Sequence, residues 1–157
     1  MRVNLSKLLP QKVTIINRLK SKDNESKRDK FYKTLLTDCI WDSKSLAHQN
    51  GKEVYYTKGY SVQIPDCQEA KYKPYSEWKD NQNTLNCFTL SLDDYVILGD
   101  VTEDITADNV TQIINKYSPF VFKISTITPL NVGGNGLSYD NNNFAMRYTS
   151  GFYVEGD

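Results

Sequence analysis

Apolar and polar residues alternate in short runs along most of the chain, the period-two pattern of half-buried β-strands. In residues 13–18 (VTIINR), Val13, Ile15 and Asn17 share one face and Thr14, Ile16 and Arg18 the other. Residues 31–41 (FYKTLLTDCIW) set Leu35, Thr37, Cys39 and Trp41 against Leu36, Asp38 and Ile40. A run of that length predicts a strand bent or bulged midway. A polar loop over 42–52 leads into residues 53–65, which read as a hairpin, VYYT and YSVQIP about a break at Lys58-Gly59. Residues 85–92 and 95–101 are two further strands joined by Asp93-Asp94, with Gly99 marking a bulge or a close backbone approach. Phe120, Phe122 and Ile124 alternate with Val121, Lys123 and Ser125 in another strand, and residues 144–154 supply the last.

A helical period stands out in one place, residues 107–116, where Val110, Ile113, Ile114 and Tyr117 recur at i, i+3, i+4 and i+7. Thr106 suits its N-cap, and Asp108 and Lys116 suit the helix dipole at the two ends. Residues 1–10 form a short basic amphipathic stretch with Val3, Leu5, Leu8 and Leu9, ended by Pro10. The connections 19–30, 66–83 and 130–143 are polar or rich in Gly and Asn. Residues 66–83 nevertheless carry Tyr72, Tyr75 and Trp78, aromatics that should pack back on the body. About seven short strands and one helix, with no βαβ rhythm, predict a mainly β chain: a small antiparallel β-barrel with long loops. A length of 157 residues suits a single domain over 1–157.

Charge changes the picture by its distribution. The formal net charge is zero, yet residues 1–37 hold ten Lys and Arg against three Asp and Glu, and residues 38–157 hold nine against sixteen. A positive end of seven charges beside an equally negative body lets copies of one protein dock head to tail, and equally lets the basic end meet nucleic acid. No run approaches the apolar length of a membrane helix and residues 1–10 lack a secretory signal, so a cytosolic protein is expected. Cys39, Cys67 and Cys87 are an odd number without metal-knuckle spacing.

Candidate chemistry is sparse. The single histidine, His48, has no nucleophile motif around it. The acidic run Asp93, Asp94, Asp100, Glu103, Asp104 and Asp108 lacks EF-hand spacing and is better explained by turns, strand ends and caps. Gly133-Gly134-Asn135-Gly136 lacks the Lys-Ser/Thr of a phosphate-binding loop, and Asn109-Val110-Thr111 is a chance glycosylation sequon inside the helix. No catalytic, cofactor-binding or metal-ligating residues are therefore assigned, no cofactor is expected, and an enzyme is not. Eleven Tyr, six Phe and two Trp remain. Tyr55, Tyr56, Lys58, Tyr60, Tyr72, Lys73 and Tyr75 could stack single-stranded nucleic acid, but local acidity favours the other use of exposed aromatics, as anchors of protein interfaces.

The series VTIINR, FYKTLLTDCIWDSK, YSVQIP, YKPYSEW, FTLSLDDYVILGDVTEDIT, NVTQIINKYSPFVFKIST and FYVEG resembles a family of small tailed-phage structural proteins, close to the head-completion or stopper proteins that join head to tail. The matches run over residues 3–128 and 152–156. The resemblance implies a small antiparallel barrel without catalytic signature, forming a ring of about six copies at the neck between portal or adaptor and tail. It implies a location in the virion, with the host cytoplasm during assembly, and contact with packaged DNA as a further partner; no membrane and no small-molecule substrate are implied. Against that pattern residues 1–12 are a basic N-terminal arm and residues 129–151 an enlargement. The loops over 42–59 and 66–83 match the long loop that reaches into the channel. The expected interface residues are Arg2, Lys7, Lys12 and Arg18 of the basic segment and the anchors Tyr55, Tyr56, Tyr72, Tyr75 and Trp78. The alternatives are another neck or tail component, a tail terminator or adaptor, and a nucleic-acid-binding β-barrel.

Overall fold

Eight strands and two α-helices are seen in a computed structural model, which describes residues 11–66, 68–81, 86–131 and 150–157. In chain order they are β1 (Gln11–Leu19), β2 (Lys30–Asn50), β3 (Glu53–Pro65), β4 (Lys71–Tyr72), α1 (Tyr75–Asn81), β5 (Cys87–Phe88), β6 (Tyr95–Leu98), α2 (Val110–Tyr117), β7 (Val121–Asn131) and β8 (Ser150–Gly156). Six of the strands close a barrel in the order β1-β2-β3-β8-β7-β6. Every barrel pairing is antiparallel, including the closing one in which Val13–Ile16 of β1 meet Leu98–Tyr95 of β6. β4 and β5 make a separate, short parallel pair. The mainly β antiparallel barrel expected from the alternating pattern is what forms, closed by six strands; within the expected strand 85–92 only Cys87–Phe88 form a strand among the described residues, and they pair with β4 outside the barrel.

The barrel interior is filled by Val13, Ile15, Leu36, Cys39, Tyr60, Val62, Ile64, Phe88, Val96, Phe122, Ile124 and Val154. Trp41, Tyr60 and Phe122 stack against one another there, with centroids 5.2–5.3 Å apart across the Trp41 contacts. The opposite face of β1 is also covered, since Ile16 and Ile97 pack under Val101, Ile105 and the Ile113 face of α2. Strict alternation along residues 31–41 is broken by the bulge. Gln11 faces Cys39 and Val13 faces Leu36, so β2 carries one residue more than β1 between these points, and Asp38 takes the left-handed conformation at φ 57°. The extra residue flips the phase: Leu36 points inward before it, Cys39 and Trp41 after it, and Leu35 is left exposed.

Several boundaries differ from the sequence reading. Of the polar stretch 42–52, residues 42–50 are strand rather than loop, and β3 runs unbroken through Lys58-Gly59. The reversal lies at Gly51-Lys52, where Gly51 at φ 63° provides the positive φ of a two-residue hairpin turn. Thr106 does not cap α2 with its side chain. Asn109 holds that place, with its carboxamide oxygen accepting from the Thr106 N–H at 2.7 Å and its amide donating to the Asp104 carbonyl at 2.8 Å, and the helix starts after it. Pro74, read as an interruption, instead starts α1: its carbonyl accepts from the N–H groups of Glu77 and Trp78. A proline in the first turn loses no hydrogen bond, which is the signal that the aromatic count obscured. The basic arm ends sooner than residue 12, since Gln11 and Lys12 already belong to β1. Of the 129–151 enlargement, Pro129–Asn131 and Ser150–Gly151 extend β7 and β8 as paired strands; its remaining residues lie outside the described ones.

Strand crossing is tightest along β8. A Cβ on Gly151, at φ 126°, would sit 1.9 Å from the Ile64 carbonyl oxygen, and one on Gly156 1.9 Å from that of Lys123. At Gly51 a Cβ would meet nothing within 4 Å. Gly151→Ala is expected to cost more than about 2 kcal/mol of unfolding free energy and Gly51→Ala only about 1 kcal/mol of backbone strain. Paired urea denaturation curves check the ordering, and equal losses would show that β8 has room to shift.

Candidate functional site

Beyond the barrel, β2 and β3 continue as a two-stranded arm. β1 covers β2 only as far as Cys39 and β8 covers β3 only from Tyr60 onward, whereas β2 and β3 stay paired from Ile40–Gln63 out to Asn50–Glu53. At the strand rise of about 3.4 Å per residue, residues 42–50 span roughly 27 Å. The arm is long because Val54, Tyr55, Tyr56 and Thr57 are β-prone and the turn at Gly51 is tight, so nothing in the local sequence ends the pairing sooner. Val54, Tyr55 and Tyr56 are 55%, 52% and 71% exposed, the largest run of exposed apolar side chains among the described residues.

The two faces of the arm differ. His48 lies opposite Tyr55 and stacks on it, with centroids 5.1 Å apart, and His48 Nε2 is 2.6 Å from Thr57 Oγ1. Val54 and Tyr56, one residue to either side of Tyr55, belong to the other face with Ala47 and Gln49 opposite them. Tyr55 and Tyr56 therefore cannot form the single stacking stripe that their adjacency suggested. His48 is a packing partner of Tyr55 and bonds the Thr57 hydroxyl on the same exposed face.

The remaining expected interface residues separate. Arg2 and Lys7 lie outside the described residues. Lys12 is exposed on β1, and Arg18 forms an ion pair with Asp29 at 2.6 Å. Tyr72 is 38% exposed and rests on Phe152 at 4.3 Å and Phe88 at 5.8 Å, and its burial raises the phenol's pKa. Tyr75 is half-buried, donating to Asp23 Oδ2 at 2.7 Å and accepting from the Lys20 N–H at 3.2 Å. Burial, opposed by the Lys20 N–H and aided by the Asp23 carboxylate, pushes its phenol up to about 12. Trp78 is a correction. Only 1% of it is exposed, with Leu19, Tyr32, Tyr75 and Cys87 around it, so it anchors α1 to its own barrel and presents nothing to a partner.

The acidic run is likewise dispersed by the fold. Asp93 occupies a turn at φ 75° and pairs with Lys123 at 3.5 Å. Glu103 accepts from Lys116 and from the Tyr117 hydroxyl, and these bonds hold its carboxyl down to about 2. Asp108 meets Arg28 at 3.5 Å, an exposed pair. Asp94 is buried, with Oδ2 accepting from Asn17 at 2.8 Å and from the Ser91 N–H at 3.1 Å, and Oδ1 from the Arg18 N–H at 3.1 Å. Asn17 in turn bonds both backbone groups of Thr89, donating at 2.6 Å and accepting at 3.2 Å. Sequence reading missed this network; the only signal was a polar residue on the apolar face of VTIINR. Among the described residues no three His, Cys, Asp or Glu are grouped to hold a metal ion, and no helix is long and apolar enough to cross a membrane.

The arm and the Asn17–Asp94 network are the two features of the fold that stand out, and comparison with known proteins reaches a family. Residues 8–138 match a family of unknown function, DUF6751. The chain belongs to DUF6751. No curated protein and no solved structure matches it. The match includes the whole arm, the Asn17–Asp94 network and α2, so both features described above lie within the DUF6751 region.

Two outcomes follow for this DUF6751 chain. Trp78→Ala should lower unfolding free energy by about 3–5 kcal/mol, whereas Tyr56→Ala should stay within about 0.5 kcal/mol; thermal melts of both variants distinguish core from surface. Burial lifts the Asp94 carboxyl from 3.8 to about 6 despite its three donors, so the folded chain holds a proton there that the unfolded chain has released. That group's stabilisation is full below about pH 4 and is lost as pH rises through about 6, a change of up to about 3 kcal/mol. The stability of the natural chain relative to Asp94→Asn should fall by that order between about pH 4 and pH 7, and a flat difference would mean that Asp94 titrates normally.

Proposed function

We propose that the chain is a virion structural protein of a tailed phage, a head–tail connector of the stopper or head-completion type that forms a ring at the neck. It acts through surfaces rather than chemistry. The observation that carries this reading is the arm: a projection of roughly 27 Å that adds nothing to the core of its own barrel and carries Val54, Tyr55 and Tyr56 into solvent. Exposed, rigid aromatics on a projecting element are interface residues by composition. The segregation of charge between residues 1–37 and 38–157 supports heterologous contacts, positive segment on negative body, of the kind that close into rings. The resemblance of the series from VTIINR to FYVEG to small tailed-phage structural proteins supports the neck as the location.

Portal or adaptor on one side and tail on the other are the partners on this reading, with packaged DNA within reach of the basic segment. Native mass spectrometry of the purified chain should give a closed oligomer of about six copies that dissociates as salt rises. Immunogold labelling of the phage's virions should then fall on the neck. Label on the tail tube or tail end would reassign the protein to another tail component. A chain that stays monomeric and binds DNA with a steep salt dependence would overturn the ring in favour of a nucleic-acid-binding barrel.

A further inference from the structure

Among the described residues, the arm differs from the rest of the sheet in that both of its long edges are open. Barrel closure gives each strand two neighbours, but the closure stops at Cys39 on β2 and at Tyr60 on β3. Past these points, residues 42–50 of β2 and 53–59 of β3 have no partner strand on their outer sides among the described residues. At the barrel end of the β2 edge the Trp41 N–H is taken by the Gln11 side-chain oxygen at 3.3 Å and the Ser43 N–H by the Asp42 carboxylate at 2.9 Å. Rows of open N–H and C=O groups are templates for another strand, and proteins normally blunt them with proline, bulges or charge. This arm has none of the first two: residues 42–59 contain no proline and their register runs without a shift. Its charges, Asp42, Lys44, Lys52, Glu53 and Lys58, leave SLAHQNG (45–51) and VYYT (54–57) uncharged.

We infer that the arm assembles edge to edge with the arms of further copies of this chain, β2 of one copy pairing antiparallel with β3 of the next. The occupant is a second copy because the two edges are similar in length, nine residues and seven, and run in opposite directions. Copies related by rotation therefore bring a β2 edge beside a β3 edge in the same antiparallel sense as within one arm. A foreign strand would satisfy one edge and leave the other. A ring of arms satisfies both edges of every copy and closes into a second barrel made of two strands from each. The faces then sort by alternation, with Tyr55 and His48 on one side of this second sheet and Val54 and Tyr56 on the other. The inference rests on the ring proposed above and names the contact that closes it.

The test is amide hydrogen exchange on the full chain, assembled and at a dilution where it is monomeric. Residues 42–50 and 53–59 should exchange more than about tenfold more slowly in the assembly. A second arm of the experiment replaces residues 44–59 by Asn-Gly, joining Ser43 to Tyr60, which already face each other, and leaving the β3–β8 pairing whole. That variant should keep the barrel's melting transition and lose assembly. A ring whose arm amides exchange as fast as in the monomer, or a shortened variant that still forms rings, overturns edge pairing and leaves the ring reading standing. A full chain that never assembles removes both. Should the shortened variant not fold, the exchange comparison on the natural chain decides alone.

Discussion

A barrel closes only if its last strand reaches the free edge of its first, and the first strand here is the one element on which every layer rests. Val13–Ile16 pair with Leu36–Lys33 on one side and with Leu98–Tyr95 on the other. The faces of the strand are as fully used as its edges: Val13 and Ile15 fill the interior, Ile16 packs beneath α2, and Val13–Asn17 are all at most 1% exposed. Where strand pairing runs out, Asn17 continues it with its side chain. Its carboxamide bonds the N–H and carbonyl of Thr89 as a backbone neighbour would, and its second amide hydrogen meets Asp94. Two otherwise irregular segments, at Thr89 and at Asp94, are thereby tied to β1 without a strand of their own. Three donors offset only part of the cost of burying this carboxylate, so its pKa is lifted to about 6.

Closure has a consequence at the other end of the sheet. Among the described residues, β1 pairs with β2 only up to Cys39 and β8 with β3 only from Tyr60, and the stretch of β2 and β3 beyond these points is the arm. Among the described residues, residues 42–50 of β2 and 53–59 of β3 pair only with each other, so their outer hydrogen-bonding groups face away from the sheet. The same residues carry the most exposed aromatics. A small core and a long bare hairpin are thus two results of one mismatch in strand length, and the proposed role in a ring uses the second result without disturbing the first.

The charged residues tell the two regions apart. Around the barrel the acids are spent locally, on Lys116 and Tyr117, on Arg28, on Lys123 and on the backbone near Ser91. Exposed pairs of this kind contribute little to stability, which leaves the opposite balance of residues 1–37 and 38–157 free to act between molecules. Aromatic residues divide the same way. Trp78 and Tyr75 secure α1 against β1 and its following turn, while Tyr55 and Tyr56 have no such task within the chain.

What the sequence determined by itself is whatever depends on neighbours in the chain. Period-two alternation was enough for a mainly β barrel, i, i+3, i+4 spacing for the apolar face of α2, and the length of the 31–41 run for a bulge, since each reflects local geometry. Tertiary structure decided what depends on distant partners. It set the bulge at Asp38 and so sent Cys39 and Trp41 inward, because β1 and β2 must both meet the interior in phase. It made strand of the polar residues 42–50, which give no periodic signal because neither face of the arm is buried. It buried Trp78, which no local rule distinguishes from Tyr56, and it paired Asn17 with Thr89 across 72 residues. Side-chain pattern reports which face meets a core. Which edges remain open is a matter of how many strands reach them, and that is decided only when the barrel closes.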